Sequence, residues 1–238
     1  MLAPLKITFE LAEPMVPSAY PIHLDALTAY AVTRQRLAQI GEDELSDDSI
    51  RALANDLPFG KAERDGEWVW QASALIPEEV GEQAIRMWTR KTNTQDYANR
   101  VADGTLLVGA RTKNALAAGV RFTGNIDTAR GLLKNQFDFY PVVSISAMSA
   151  WCIGDIDELE ALLPPESGLL THIGKRARIG HGRIRSIRIE HAAEATDKWR
   201  LRVLPWQESP NYLPIQAAFR PPYWAAENRG MAFVPSEL

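Results

Sequence analysis

The chain has 238 residues, 46% of them apolar and 24% charged, with a formal net charge of −4; this suits a globular protein with a buried core and excludes a disordered or collagen-like chain. No apolar run approaches the roughly 18–20 residues that span a bilayer, and MLAPLKITFE lacks the basic-then-apolar order of a signal peptide, so a cytoplasmic protein without a membrane partner is expected. The single cysteine, Cys152, excludes an internal disulfide and a cysteine-based zinc site, and reads as a small core residue.

In chain order, LKITFEL alternates Leu5, Ile7, Phe9 and Leu11 with Lys6, Thr8 and Glu10, the period of a half-buried strand. Pro14, Pro17 and Pro21 keep the next segment extended. In HLDALTAYAVTRQRLAQIG, Ala26, Tyr30, Thr33, Leu37 and Ile40 predict a helix, with Gly41 placed to end it. The acidic GEDELSDDS and a short helix near 50–55 read as a surface insertion. EWVWQASAL, residues 67–75, predicts a strand with Trp68 and Trp70 on one face. A helix is expected over 80–90. The following stretch is punctuated by Gly104, Gly109, Gly119, Gly124 and Gly131 and suits a long hairpin or excursion.

PVVSISAMSAWCIG, residues 141–154, predicts one long strand because Val143, Ile145, Ala147 and Trp151 share parity. In DIDELEALLPP, Asp155 and Glu158 have capping-box spacing, Ile156, Leu159, Leu162 and Leu163 form a stripe, and two prolines stop the helix. Two strands are expected after a glycine-rich loop: one in which Ile187 and Ile189 alternate with Arg188 and Glu190, and WRLRV, residues 199–203. The tail is proline-rich. Without its insertions this order predicts an α+β, ferredoxin-like βαββαβ domain over 1–203 and a C-terminal extension over 204–238.

The net charge hides a segregation. Residues 86–135 carry 9 basic and 3 acidic side chains and residues 172–202 carry the same numbers, whereas 1–85 carry 6 and 15. Brought together, the two basic blocks would make a positive groove, the footprint of a polyanion site; kept apart, they are solvated faces. The sharpest feature is HIGKRARIGHGRIRSIRIE, residues 172–190. Its Gly174-Lys175 is followed by Arg176 and lacks the preceding Walker glycine. Gly180-x-Gly182 has Arg185 where a dinucleotide fingerprint needs a third glycine, and a strand follows instead of a helix. With nucleotide loops excluded, the permissive backbone and the guanidinium forks of Arg176, Arg178, Arg183, Arg185 and Arg188 suit a sugar-phosphate backbone.

A loop of the form G-K-R-A-R-I-G-H-G between the last helix and the last strand of such a fold resembles the glycine-rich loop of the repeat-associated (RAMP) superfamily of CRISPR proteins. PLKITFELAEPMVPSAYPIHLDALTAYAV and the terminal R-P-P-Y-W resemble the subunit of type IV CRISPR effector complexes that caps the 5′ end of the guide RNA. The resemblance covers the first forty residues, the stretch from about 141 to 203, and the tail. It implies that Gly174, Lys175, Arg176 and Arg178, with Gly180, His181, Gly182 and Arg183, bind the 5′ handle of the guide (crRNA). It also implies a thumb-like insertion, about 91–135, in which Arg111, Lys113, Arg121, Arg130 and Lys134 contact RNA. The implied partners are the crRNA, the backbone and large subunits, and target DNA near the protospacer-adjacent motif. The implied role is non-catalytic, in defence against foreign nucleic acid.

Some relatives cleave precursor guide RNA without metal, using a histidine or a Tyr/Lys/His group as general acid and base. The residues here that could serve such an endoribonuclease are Tyr20, His23 and His181, although IHLD equally reads as a helix start. His172, His181, His191 and Cys152 lack ligand spacing, so neither a metal nor a cofactor is expected. Of the seven tryptophans, most are expected in the core or an interface, and Trp224 in the tail is the exception.

Overall fold

A computed structural model describes residues 1–40, 45–91, 93–103, 128–129 and 134–238. The chain divides into two compact units, one of Met1–Ala84 with Pro141–Leu238 and one of Ile85–Tyr140.

The first unit is built on β1 (Leu2–Leu11), β4 (Ile76–Pro77), β7 (Ala147–Asp155) and β8 (Ile184–His191), an antiparallel sheet in the order β4-β7-β1-β8. The register places Ile7 opposite Ala150 on one side and Ile189 on the other. The apolar face predicted for β1 holds, Leu5, Ile7 and Phe9 being fully buried, each such side chain contributing roughly 1.5–3 kcal/mol, although Thr8 on the opposite face is buried as well. They face a core shared with Leu24 of helix α1 (Leu24–Ile40) and with Leu159 and Leu162 of α4 (Ile156–Leu162). Helix α4 starts as expected, the Asp155 carboxylate accepting from the amides of Asp157 and Glu158. Ser46 likewise caps α2 (Asp47–Ala54).

A second core forms around Val69, Trp199, Leu204, Trp206, Tyr212 and Phe219. It lies against the hairpin of β9 (Tyr212–Ala218) and β10 (Arg229–Pro235). A smaller hairpin, β2 (Lys61–Arg64) with β3 (Glu67–Trp70), turns at Asp65-Gly66, both at positive φ, the geometry an Asp-Gly pair favours. The second unit contains the 85–90 part of β5 (Val80–Arg90), the 136–140 part of β6 (Gln136–Ile145), which pairs with β5, and α3 (Thr94–Ala102). Asn93 Oδ1 accepts from the Gln95 and Asp96 amides at the start of α3.

Several expectations are corrected. Residues 80–90 form a strand, not a helix. Val80, Ala84 and Met87 fall at helical spacing, but only Trp88 in this segment is even half-buried, so no buried stripe supports a helix, and pairing with the aromatic-rich β6 satisfies the backbone instead. The strand expected over 67–75 stops at Trp70, and the single strand expected over 141–154 is two, β6 and β7, separated at Ser146, whose carbonyl accepts from the Leu11 amide. The tail contains a hairpin that its prolines disguised. Helix α1 buries Leu24, Asp25, Thr28 and Ala31, not the stripe through Tyr30, which is 53% exposed.

The polar members of that buried face are satisfied. Thr28 Oγ1 donates to the Leu24 carbonyl at 3.0 Å. Asp25 meets Arg202, and neither side chain has any exposed surface. Arg202 explains why WRLRV is not a strand. Its guanidinium donates to the carbonyls of Trp70 (2.7 Å), Ala72 (2.8 Å) and Phe219 (2.6 Å), and to Asp25 Oδ2 at 3.0 Å. The chain at 199–203 turns inward to deliver it. Beside it, the Val203 amide donates to His23 Nε2 at 3.1 Å. Burial, followed by the Arg202 charge, holds the His23 pKa well below its ordinary value of 6.5.

The glycine loop is tied to the segment after β1. The Gly182 amide donates to the Pro14 carbonyl (3.0 Å) and the Ala12 amide to the Arg183 carbonyl (2.8 Å). The Ile173 amide donates to the Gly182 carbonyl (2.8 Å), and Val16 bridges to Lys175. Gly182 has φ +65°, and a Cβ there would overlap the Ile173 carbonyl oxygen, whereas Gly180, at φ +91°, would present its Cβ to open space.

Gly182→Ala is therefore expected to lower unfolding free energy by about 3 kcal/mol or more, and Gly180→Ala by about 1 kcal/mol; denaturant titration of both variants checks the contrast, and equal losses would contradict it. For His23, the folded-state pKa lies below the unfolded value, so the native state binds fewer protons than the unfolded chain once pH falls below about 6.5. Its stabilising contribution is complete above that pH and is lost as pH falls toward the folded pKa. Between pH 6 and 5 the wild type should lose about 1 kcal/mol per pH unit more than His23→Gln, which keeps an acceptor but does not titrate. Parallel pH profiles from urea unfolding would refute this.

Candidate nucleic-acid interface

The loop after Leu170 runs out through a bridge between His172 and Arg183, makes a one-turn 3₁₀ helix at Ala177–Ile179, and returns into β8. Arg176 enters that turn at φ +62° and Gly180 leaves it in the left-handed region. Lys175, Arg178 and Arg183 are exposed, Arg176, Gly180 and His181 are half-buried, and Gly182 is buried. The imidazole of His181 donates from Nδ1 to the Pro14 carbonyl at 3.2 Å. The backbone of the loop is therefore fixed at Gly182 and His181 while Lys175, Arg178 and Arg183 are exposed.

Those cations are only partly engaged. Arg183 faces Glu13 at 3.7 Å and Arg188 faces Glu190 at 3.9 Å, in both cases between largely exposed groups, a geometry worth little in water. Lys175, Arg178 and Arg185 are exposed and make no ion pair among the described residues. Burial and the neighbouring Arg183 lower the His172 pKa, and its Nδ1 lies 2.9 Å from Thr171 Oγ1. Of the cations expected in the insertion, Lys134 is exposed. Arg111, Lys113, Arg121 and Arg130 lie outside the described residues.

The residues considered for acid-base chemistry are divided. Tyr20 and His23 line a cleft of about 340 Å³ between the start of α1 and the β9–β10 hairpin; His181 is not among the lining residues. Tyr20 is 66% exposed and His23 4%. Sequence reasoning missed two other residues of this cleft, Tyr223 and Arg229; R-P-P-Y-W and N-R-G were visible, but only the hairpin brings them to α1. No group of three or more His, Cys, Asp or Glu close enough to hold a metal occurs among the described residues. No helix among them is long and apolar enough to cross a membrane. Trp70, Trp151, Trp199 and Trp206 are buried and Trp224 is 52% exposed, as expected, with Arg51 over the Trp224 ring at 5.1 Å.

A search of curated proteins finds no match. Among solved structures, the chain is similar to one in a crystal structure of a Csm3-Csm4 subcomplex of a type III-A CRISPR-Cas interference complex, with 9% identity, a TM-score of 0.33, and coverage of 97% of this chain and 90% of that one. The family model described as CRISPR type IV associated protein Csf3 matches residues 3–235. The match bears out the type IV resemblance seen in the N-terminal segment and the terminal R-P-P-Y-W, and the chain belongs to the family of CRISPR type IV associated protein Csf3.

Proposed function

We propose that this chain is a non-catalytic RNA-binding subunit of a type IV CRISPR effector complex, holding the 5′ handle of the guide RNA on the loop at 174–183. The observation that carries the reading is the division of labour within that loop: a backbone anchored at Gly182 and His181, and exposed cations at Lys175 and Arg178 that form no ion pair among the described residues. A fixed scaffold with projecting cations binds phosphates without prepaying loop closure, and each neutralised phosphate releases counterions. The sheet order supports a ferredoxin-like reading. With β1, β4, β7 and β8 taken as the βαββαβ strands, α1 and α4 are the two connecting helices and the second strand has shrunk to two residues.

In such a complex, guide pairing reads sequence and protein contacts read backbone and shape. The backbone and large subunits would be its neighbours, and target DNA near the protospacer-adjacent motif would be inspected at this end. The non-catalytic assignment draws support from His23, buried with Nε2 occupied by the Val203 amide, and from the separation of His181 from the cleft that holds Tyr20. The segregated basic blocks favour RNA over a protein ligand.

Replacing Lys175 and Arg178 together by Glu is expected to reduce guide RNA retained by the purified complex by about tenfold or more, with a shallower salt dependence, because both contacts are to phosphate. Unchanged retention would sink the handle-binding role. Incubation of the wild-type protein with its precursor repeat RNA is expected to leave that RNA intact; cleavage that disappears in His181→Ala would replace this proposal with an endoribonuclease.

A further inference from the structure

The cleft between α1 and the β9–β10 hairpin has a chemistry of its own. Ile215, Ala217 and Ala218 of β9 and Ala26 of α1 make it predominantly apolar. Two of its rings are held by the buried polar cluster. His23 and Tyr223 stack with centroids 5.2 Å apart and planes 15° from parallel, and the Tyr223 hydroxyl donates to Asp25 Oδ1 at 2.7 Å. Because His23 Nε2 accepts from the Val203 amide, the imidazole carries its proton on Nδ1.

The mouth of the cleft is different. Tyr20 is mostly exposed there, and Arg229 is exposed. Among the described residues, Arg200, Arg202 and Arg220 form ion pairs, while Arg229 forms none. A bare anion would find few donors inside this cleft. An aromatic protein side chain would fill it but leave Arg229 without a partner. A planar, partly apolar ring with acceptor atoms on its edge and an anion attached satisfies both parts, and at about 340 Å³ the space lies in the size range of small-molecule sites.

We infer that this cleft receives one unpaired nucleobase of the bound RNA, stacked against Tyr20, with its phosphate on Arg229. Single-stranded RNA is read in this way, by aromatic rings and cations at the mouth of a pocket. The site also has a route to the loop. Val16, which bridges to Lys175, and Tyr20 are joined by so short a segment that their Cα atoms lie within about 14 Å of each other, so one RNA strand can reach both. The inference rests on the RNA-binding reading above but concerns a different set of residues.

The test uses the full-length protein titrated with AMP, CMP, GMP and UMP, with the corresponding nucleosides, and with N-acetyltyrosinamide, reading the backbone amide resonances of Ala26, Ala217 and Ala218. At least one nucleotide is expected to shift them saturably, with a Kd of about 1–10 mM. Arg229→Glu should weaken the nucleotide by about tenfold while leaving its nucleoside unaffected. Tyr20→Ala should weaken both by about tenfold. Gln216→Trp, at an exposed lining position, should block the cleft without disturbing the core. The Lys175→Glu/Arg178→Glu variant should bind mononucleotide as the wild type does while losing guide retention. No saturable shift from any nucleotide, in protein that still retains guide RNA, would overturn the cleft and spare the handle reading; shifts from N-acetyltyrosinamide alone would overturn it in favour of a protein side chain. Mononucleotide binding in a wild-type protein that retains no guide would uphold the cleft and strike the handle reading.

Discussion

The guanidinium of Arg202 is the point on which the first unit is assembled. It has no exposed surface, and removing such a charge from water costs several kcal/mol. The cost is offset because its donors are satisfied at once: Nε by the Val203 carbonyl, Nη1 by those of Trp70 and Ala72, and Nη2 by Asp25, the Phe219 carbonyl and the Tyr223 hydroxyl. Those acceptors come from the end of β3, the first turn of α1 and the segment after β9. Loss of any partner would leave a buried charge or carbonyl unmatched, so elements far apart in sequence are held to one arrangement by a single side chain.

That cluster also determines which parts of the fold can be read from the sequence. Where an apolar alternation carries the packing, as in β1, or a local hydrogen bond carries the start of a helix, as at Asp155, the residues announce the structure. Where buried polar groups carry it, they mislead. Asp25 and Thr28 look like solvent-facing positions, so the apolar reading of α1 selects the face through Tyr30 and Leu37. The alternation of Trp199, Leu201 and Val203 with Arg200 and Arg202 looks like a strand, yet Arg202 must point inward, and the chain turns to allow it. Residues 80–90 fail for a different reason: their partner is β6, about fifty residues later in the chain, and a local period cannot reveal a long-range pairing.

The glycine loop was legible in composition but not in mechanics. Three glycines in a run of cations suggest flexibility throughout, whereas Gly182 serves close packing, passing where only a residue without a Cβ fits against Ile173. His181 likewise reads as a chemical group and proves to be a strut to Pro14. The proline-rich segment after β1, which looked like a connector, is the surface on which the loop is mounted. A loop fixed in this way keeps cations such as Lys175 and Arg178 clustered when no anion is present. Their mutual repulsion is only partly screened over distances near a Debye length, about 8–10 Å, and that favours an extended polyanion over a single phosphate.

The buried charge and the cleft are connected through protonation. A protonated His23 would place a second cation beside Arg202 and would take away the lone pair on Nε2 that accepts from the Val203 amide. Burial and the Arg202 charge both disfavour that state, so the ring stays neutral, and the Val203 hydrogen bond then requires the Nδ1–H tautomer. Tyr223, stacked on His23, is held through its hydroxyl by Asp25 and Arg202. The cleft thus inherits its hydrogen-bonding character and the position of its stacked rings from an interaction whose first role is to close the fold. A substitution at Arg202 would alter the cleft even though Arg202 is not among its lining residues.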